Sequence, residues 1–258
     1  MNNVNYKDQL MYVKWWLKPD IDRERRLQVL AAIKQFTAQI ERDEPGTLTY
    51  LVYLPDMRQA NQPPVSGEEI LYVESYANKL AFESHLKNFN KHIGDPYKDC
   101  FLAAPNNSEL SFIQVLECQR HGTTLDSPPA GYIRNNFAVA RDVQWVNWWT
   151  KSAADKAAVL EGLANFADWC YHNEPQTLIY LFATPIADES TAPPNAGNIV
   201  FLAAYVDDQA RDFHYDNWDE QIIGKYKDSF VTSADDPDTP YIEVENVNLL
   251  CGFERWNN

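Results

Sequence analysis

Two histidines occupy matching places in the chain, and each has an asparagine three residues on: His85 with Asn88, His214 with Asn217. Residues three apart on a helix share a face, so each imidazole has an amide within reach. Imidazole titrates near neutral pH and can remove a proton from a weak acid such as a phenol. The competing reading is structural: both histidines are boundary residues hydrogen-bonded to the loop after a sheet. Apolar spacing puts Phe82, Leu86, Phe89 and Ile93 on the buried stripe of the first helix, with His85 at its edge. Tyr215, Trp218 and Ile222 form the second stripe, with His214 and Asn217 at its edge. His92 has Gln221 in the matching place and reads as surface, and His121 and His172 read as solvated.

The segments that must position these residues are written twice. Ile70–Asp99 and Ile199–Asp228 keep a constant spacing through Tyr76/Tyr205, His85/His214, Asn88/Asn217, Ile93/Ile222 and Tyr97-Lys98-Asp99/Tyr226-Lys227-Asp228. Upstream, Glu44-Pro45-Gly46-Thr47-Leu48 matches Glu174-Pro175-Gln176-Thr177-Leu178, one residue out of step. An internal repeat of this length governs the fold. In the first half, strands are expected over Leu10–Leu17, Thr47–Leu54, Ile70–Tyr76 and Leu110–Cys118. Helices are expected over Asp22–Glu41, with Asp20 or Asp22 as N-cap, and over Asn78–Ile93. Glu44-Pro45-Gly46 reads as the stop of the first helix, and Asp56–Glu69 as a loop. The second half repeats the order: strand Phe137–Trp149, helix Ala153–Tyr171, strand Thr177–Ala183, loop Ile186–Gly197, strand Ile199–Tyr205, helix Asp208–Ile223 and strand Tyr241–Cys251.

The order is therefore βαββαβ, twice, with Asp126–Gly131 as the linker and domains at 1–125 and 126–258. One such unit leaves an apolar sheet face open, so two are expected to bury those faces together. The expected fold is α+β: tandem ferredoxin-like repeats forming an intramolecular dimeric-type α+β barrel.

Composition narrows the partners. The chain has 258 residues, a net charge of −15 and 13% aromatics. An acidic surface repels nucleic-acid phosphate and anionic membranes, so neither is expected as a partner. No apolar run approaches the ~20 residues of a membrane span, and Met1–Asn5 lacks the features of a signal peptide. Cys100, Cys118, Cys170 and Cys251 have no CxxC spacing and read as free thiols in a reducing compartment, so a cytoplasmic location is expected. GxGxxG, P-loop, HExxH and GxSxG patterns are all missing, and no ligand set has metal spacing.

The run Glu44–Leu48, then Tyr72-Val73-Glu74-Ser75-Tyr76, then Ala81-Phe82-Glu83-Ser84-His85-Leu86, resembles the antibiotic biosynthesis monooxygenase (ABM) family of dimeric α+β barrels. The second half departs from it, with Ala203-Ala204 for Glu74-Ser75 and Arg211-Asp212-Phe213 for Phe82-Glu83-Ser84. The resemblance implies oxidation of anthrones, quinols and related phenols by O2 with no cofactor. The family's helix histidine maps to His85 and His214, and the aromatic one turn later to Phe89 and Trp218. Its pockets lie between each sheet and its helices. Such chemistry needs a base, a dry apolar slot and donors for an oxyanion. Trp15, Trp16, Trp148, Trp149 and Trp218 are the slot candidates, with Tyr50, Tyr72 and Tyr180 as donors. Strand neighbours point to opposite sides, so one Trp of each pair faces the pocket. The expected partners are a hydrophobic aromatic substrate and O2, with the chain a monomer carrying an internal pseudo-dimer and further self-association left open. A cyclase, isomerase or decarboxylase using the same pocket, or a non-catalytic binder, remain the rival readings.

Overall fold

The computed structural model describes residues 9–56, 69–104, 107–121, 131–186, 199–233, 236 and 238–255. The expected loops after Asp56 and Ile186, most of the linker and the N-terminal five residues fall outside them. The chain divides into two compact units, residues 1–117 with 249–258, and residues 118–248.

In the first unit, β1 (Gln9–Trp16) leads into α1 (Arg23–Asp43), then β2 (Thr47–Pro55), β3 (Glu69–Tyr76) and α2 (Lys79–Phe89). Asp22 caps α1 by accepting from the Arg25 N–H, and Asn78 caps α2 through Ala81. A short pair, β4 (Ala103–Ala104) and β5 (Asn107–Ser111), precedes β6 (Ile113–Arg120), which runs on into the second unit. The end of β11 (Ile242–Glu254) returns to the first unit, where the strand order is β11-β2-β3-β1-β6.

Register decides which side chains share a face. β3 pairs with β1 (Met11↔Glu74, Val13↔Tyr72, Trp15↔Ile70) and with β2 (Tyr50↔Glu74, Val52↔Tyr72). Side chains alternate along a strand, so Trp15, Tyr50, Val52, Ile70, Tyr72, Glu74 and Tyr76 look to one side. α1 covers that side with Val29, Leu30, Ile33, Phe36 and Ile40, and α2 and the turn that follows it cover it with Phe89 and Ile93.

The second unit holds β7 (Tyr132–Ile133), β8 (Asp142–Trp148), α3 (Ala153–Asn173), β9 (Thr177–Pro185), β10 (Ile199–Tyr205) and α4 (Asp208–Trp218). β10 lies between β8 (Ile199↔Trp148) and β9 (Tyr180↔Ala203, Phe182↔Phe201). The first half of β11 pairs with β8, and the end of β6 with β9. Both units are thus α+β, with antiparallel strands and helices on the sheet. Among the described residues no helix is long and apolar enough to cross a membrane, and all four cysteines are free.

Three expectations are corrected. The strand expected from Phe137 begins only at Asp142, because Phe137–Val139 closes a 3-10 turn on the carbonyls of Arg134 and Asn136. α2 and α4 end in π-helical turns, Asn90–Gly94 and Asp219–Ile223, rather than running on as α-helix. The helix faces are also turned. Leu86 is 46% exposed and the Tyr215 ring is part-exposed with its hydroxyl on Gln144, whereas His85 and His214 are buried in the stripes Phe89/Ile93 and Ala210/Ile222. Both imidazoles hold core positions because each meets a carboxylate there.

Candidate active site

α1 stops at Glu44, whose backbone N–H bonds the Ile40 carbonyl. Pro45-Gly46 then turns the chain into β2. Gly46 approaches α2 so closely that a Cβ on it would lie 2.6 Å from the Ala81 Cβ. This turn aims the Glu44 side chain at α2. His85 Nδ1 lies 2.9 Å from Glu44 Oε2, Asn88 Nδ2 donates to Oε1 at 2.8 Å, and Thr47 Oγ1 donates to Oε2 at 3.1 Å. Arg255, from beyond β11, donates to the carbonyls of Glu44 (2.8 Å) and Thr47 (2.7 Å) and clamps the turn.

Burial pushes the Glu44 carboxyl up, but the hydrogen bonds from His85 and Asn88 outweigh it, and the group lies below its ordinary value. A carboxylate only accepts, so Nδ1 is the donor to Glu44, which leaves Nε2 as the acceptor whenever the ring is neutral. The ring is 3% exposed. Around it stand Phe36, Tyr50 and Tyr76, with ring centroids 5.6, 5.2 and 5.3 Å away. The arrangement is an oriented base in an apolar cage.

The second unit builds the same dyad. His214 Nδ1 lies 2.6 Å from Glu174 Oε2, which also accepts from Thr177 Oγ1 at 2.8 Å. Phe166, Tyr180 and Tyr205 take the places of the three surrounding rings, at 5.3, 5.2 and 5.2 Å. Arg134 clamps this turn through the carbonyls of Thr177 (2.9 Å) and Glu174 (3.3 Å).

The two sites then diverge. Asn217 donates to the Phe213 carbonyl instead of the glutamate, and the buried Glu174 Oε1 has no hydrogen-bond partner among the described residues. Cys170 Sγ stands 3.8 Å from His214 Nδ1, and Cys170, Glu174 and His214 offer donor atoms within 4.8 Å of one another. The 2.6 Å between Nδ1 and Oε2 is a hydrogen-bond spacing. Donors on one tetrahedral zinc, each about 2.0–2.1 Å from the metal, stand farther apart, at about 3.3 Å. The cluster as it stands is a hydrogen-bonded one.

Of the residues expected at a pocket, Tyr50, Tyr72 and Phe89 lie on the His85 side of the first sheet, and Tyr180 and Trp218 on the helix side of the second. Trp16 and Trp149 do not. Trp16 stacks on Phe112 (4.9 Å) and Trp149 packs on Tyr241 (5.0 Å), while their neighbours Trp15 and Trp148 hold the helix-facing places. His121 is half-buried with Nε2 2.6 Å from Thr184 Oγ1, not solvated. Glu44, Glu174, Arg134 and Arg255 are site residues that the sequence alone does not single out. The signal available was the recurrence of the glutamate at the head of both copies.

The sequence matches no family model and no curated protein. Solved structures are similar in fold. A candidate monooxygenase from Lactobacillus acidophilus NCFM superposes with TM-score 0.67 at 14% identity, covering 96% of this chain and 97% of that one. A candidate monooxygenase from Fusobacterium nucleatum subsp. nucleatum ATCC 25586 gives 0.66 at 14% identity, covering 97% and 96%. An anthrone oxidase-like protein gives 0.52 at 11% identity, covering 97% and 95%. At such identities the likeness shows the fold alone.

Proposed function

We propose that the chain is a monooxygenase- or oxidase-type enzyme that oxidises a hydrophobic phenol, anthrone or quinol with O2 and no cofactor, in secondary metabolism. The observation that carries this reading is the buried dyad, His85 Nδ1 on Glu44 and His214 Nδ1 on Glu174. A carboxylate behind Nδ1 fixes the tautomer and stabilises the imidazolium that forms when Nε2 takes a proton. Asn88 holds the carboxylate of the first unit in place, and Asn217 acts only through the helix backbone. Phe89, Tyr50, Tyr72, Tyr180, Trp218, Trp15 and Trp148 would form the apolar walls. Once the substrate is an anion it is electron-rich enough to reduce O2 itself, so the protein's tasks are deprotonation and exclusion of water. The likeness to proteins described as monooxygenases and as anthrone oxidase-like supports the reaction class.

In this reading the halves 1–125 and 126–258 are tandem ferredoxin-like repeats of an intramolecular dimeric-type α+β barrel, working in the cytoplasm on a small aromatic substrate. The test is oxygen uptake by the purified chain with 1,8-dihydroxyanthrone. Uptake matched by quinone formation, and lost in a His85→Ala/His214→Ala double variant, is the expected result. The near-complete burial of both imidazoles favours a second reading, a non-catalytic aromatic-binding protein. Binding of the anthrone without uptake or conversion would establish it, and conversion without uptake would point to a cyclase or isomerase.

A further inference from the structure

Resting on the oxidase reading, we propose that Glu74 is a catalytic proton donor and that the first unit is the working half. The first ground is register. Glu74 stands directly across the strand pair from Tyr50, on the face that looks at His85. In the second unit the same cross-strand place pairs Tyr180 with Ala203, a methyl group. Tyr72 likewise has Phe201 in its matching place. The dyad is duplicated, but the carboxyl and the phenol beside it are not.

The second ground is unspent hydrogen-bonding capacity. The hydroxyls of Tyr50 and Tyr72 are buried and have no partner among the described residues. A buried polar group left unpaired costs about 1–3 kcal/mol, which favours an oxygen-bearing molecule on this face. The Tyr180 hydroxyl of the second unit is likewise unpartnered among the described residues, so it is the Tyr72 hydroxyl, with Phe201 in its matching place, that sets the first unit apart. Glu74 is only 7% exposed, and Tyr76 Oη donates to its Oε2 at 2.6 Å.

The third ground is the division between two carboxyls beside one imidazole. Burial holds Glu74 above its ordinary value, while Glu44 lies below its own. Among the described residues, the charged or titratable groups that face Glu74 are His85, Glu44, Tyr76, Tyr50 and Tyr72, and on the β1 side its partner is the apolar Met11. Burial raises all three phenols, so none supplies a charge at neutral pH. Two carboxyls beside one imidazole, pushed in opposite directions by their surroundings, are the kind of pairing acid–base chemistry uses.

The steps balance. His85 Nε2 takes a proton from the CH2 of the anthrone, leaving a carbanion and an imidazolium. The carbanion adds to O2 and becomes a peroxide anion, carbon giving up the electron pair. Glu74 protonates that anion to a hydroperoxide. The Glu74 carboxylate then takes the remaining C–H proton as the O–O bond breaks, giving the ketone and hydroxide. The imidazolium protonates the hydroxide to water, and both side chains are restored.

The test is steady-state oxygen uptake by the full chain with 1,8-dihydroxyanthrone, using Glu74→Gln, Glu74→Ala, Glu74→Asp and His85→Ala. Ala is the residue the second unit itself carries at this place, and thermal melts check that each variant is folded. Glu74→Gln and Glu74→Ala are expected to lower kcat about 100-fold with KM moved by less than about threefold. Glu74→Asp restores part of the rate, and His85→Ala loses at least as much as Glu74→Gln. Wild-type kcat in the two neutral Glu74 variants or in His85→Ala overturns the inference and leaves the oxidase reading standing. No uptake by the wild-type chain overturns both.

Discussion

At the His85 site, the surroundings push two glutamates in opposite directions. Glu44 is held below its ordinary value of 4.5, so the stability it contributes is present above that value and is lost as the pH falls through the lowered one. Glu44→Gln is expected to cost about 1–3 kcal/mol at neutral pH by leaving His85 and Asn88 poorly matched. The gap from wild type should narrow below pH 4.5 in denaturant titrations. Glu74 has the opposite sign, because its folded value is raised from 4.5. Its proton is held more tightly in the folded state, so stability falls as the pH rises above 4.5 toward the raised value. Glu74→Gln removes that penalty, and its stability relative to wild type is expected to climb with pH through the same window. The histidines were legible because they recur with asparagines three residues on. Their glutamates were not, because Glu-Pro-Gly reads first as a helix stop, and the His85 contact spans 41 positions of sequence.

At the scale of elements, periodicity located helices and strands but not every face. An amphipathic reading counts histidine as polar, so it placed Leu86 inward and His85 at the edge. A carboxylate supplied by a different element reverses that order. Strand alternation likewise showed that one Trp of each pair faces the helices, and only the register Trp15↔Ile70 and Trp148↔Ile199 shows which. The same tight packing sets a test on β11. A Cβ on Gly252 would lie 2.7 Å from the Tyr50 carbonyl and 2.9 Å from the Leu51 Cα, both backbone atoms that cannot swing aside. Gly252→Ala is expected to cost about 1–3 kcal/mol, read as a lowered Tm, with oxygen uptake reduced because Tyr50 lies beside His85. Arg255→Ala removes the clamp on the Glu44 turn. Loss of its hydrogen bonds is expected to cost about 1.5–3 kcal/mol, measured by chemical denaturation.

At the scale of the whole molecule, the duplication was visible because whole runs recur in step, and the acidic balance was visible from composition. The return of residues 249–258 to the first unit was not. The strand that carries them begins in the second unit, and long-range pairing leaves no local signal. Removing 249–258 takes away Cys251 on Thr37, Phe253 on Tyr50 and the Arg255 clamp together. The truncated chain is expected to melt lower and to lose oxygen uptake. With a net charge of −15, the intact chain is expected to leave duplex DNA unshifted even at low salt.

In the proposed reaction a carboxylate-held imidazole makes the substrate an anion before oxygen is involved. This step is tested most directly by mixing the chain with 1,8-dihydroxyanthrone under strict exclusion of oxygen and recording the absorption spectrum. The account predicts that the wild-type chain accumulates the long-wavelength band of the anthrone anion, that the band decays to quinone when oxygen is admitted, and that His85→Ala/His214→Ala forms neither. An anion band of equal size in the double variant, or oxygen consumption that does not need the two histidines, would contradict it.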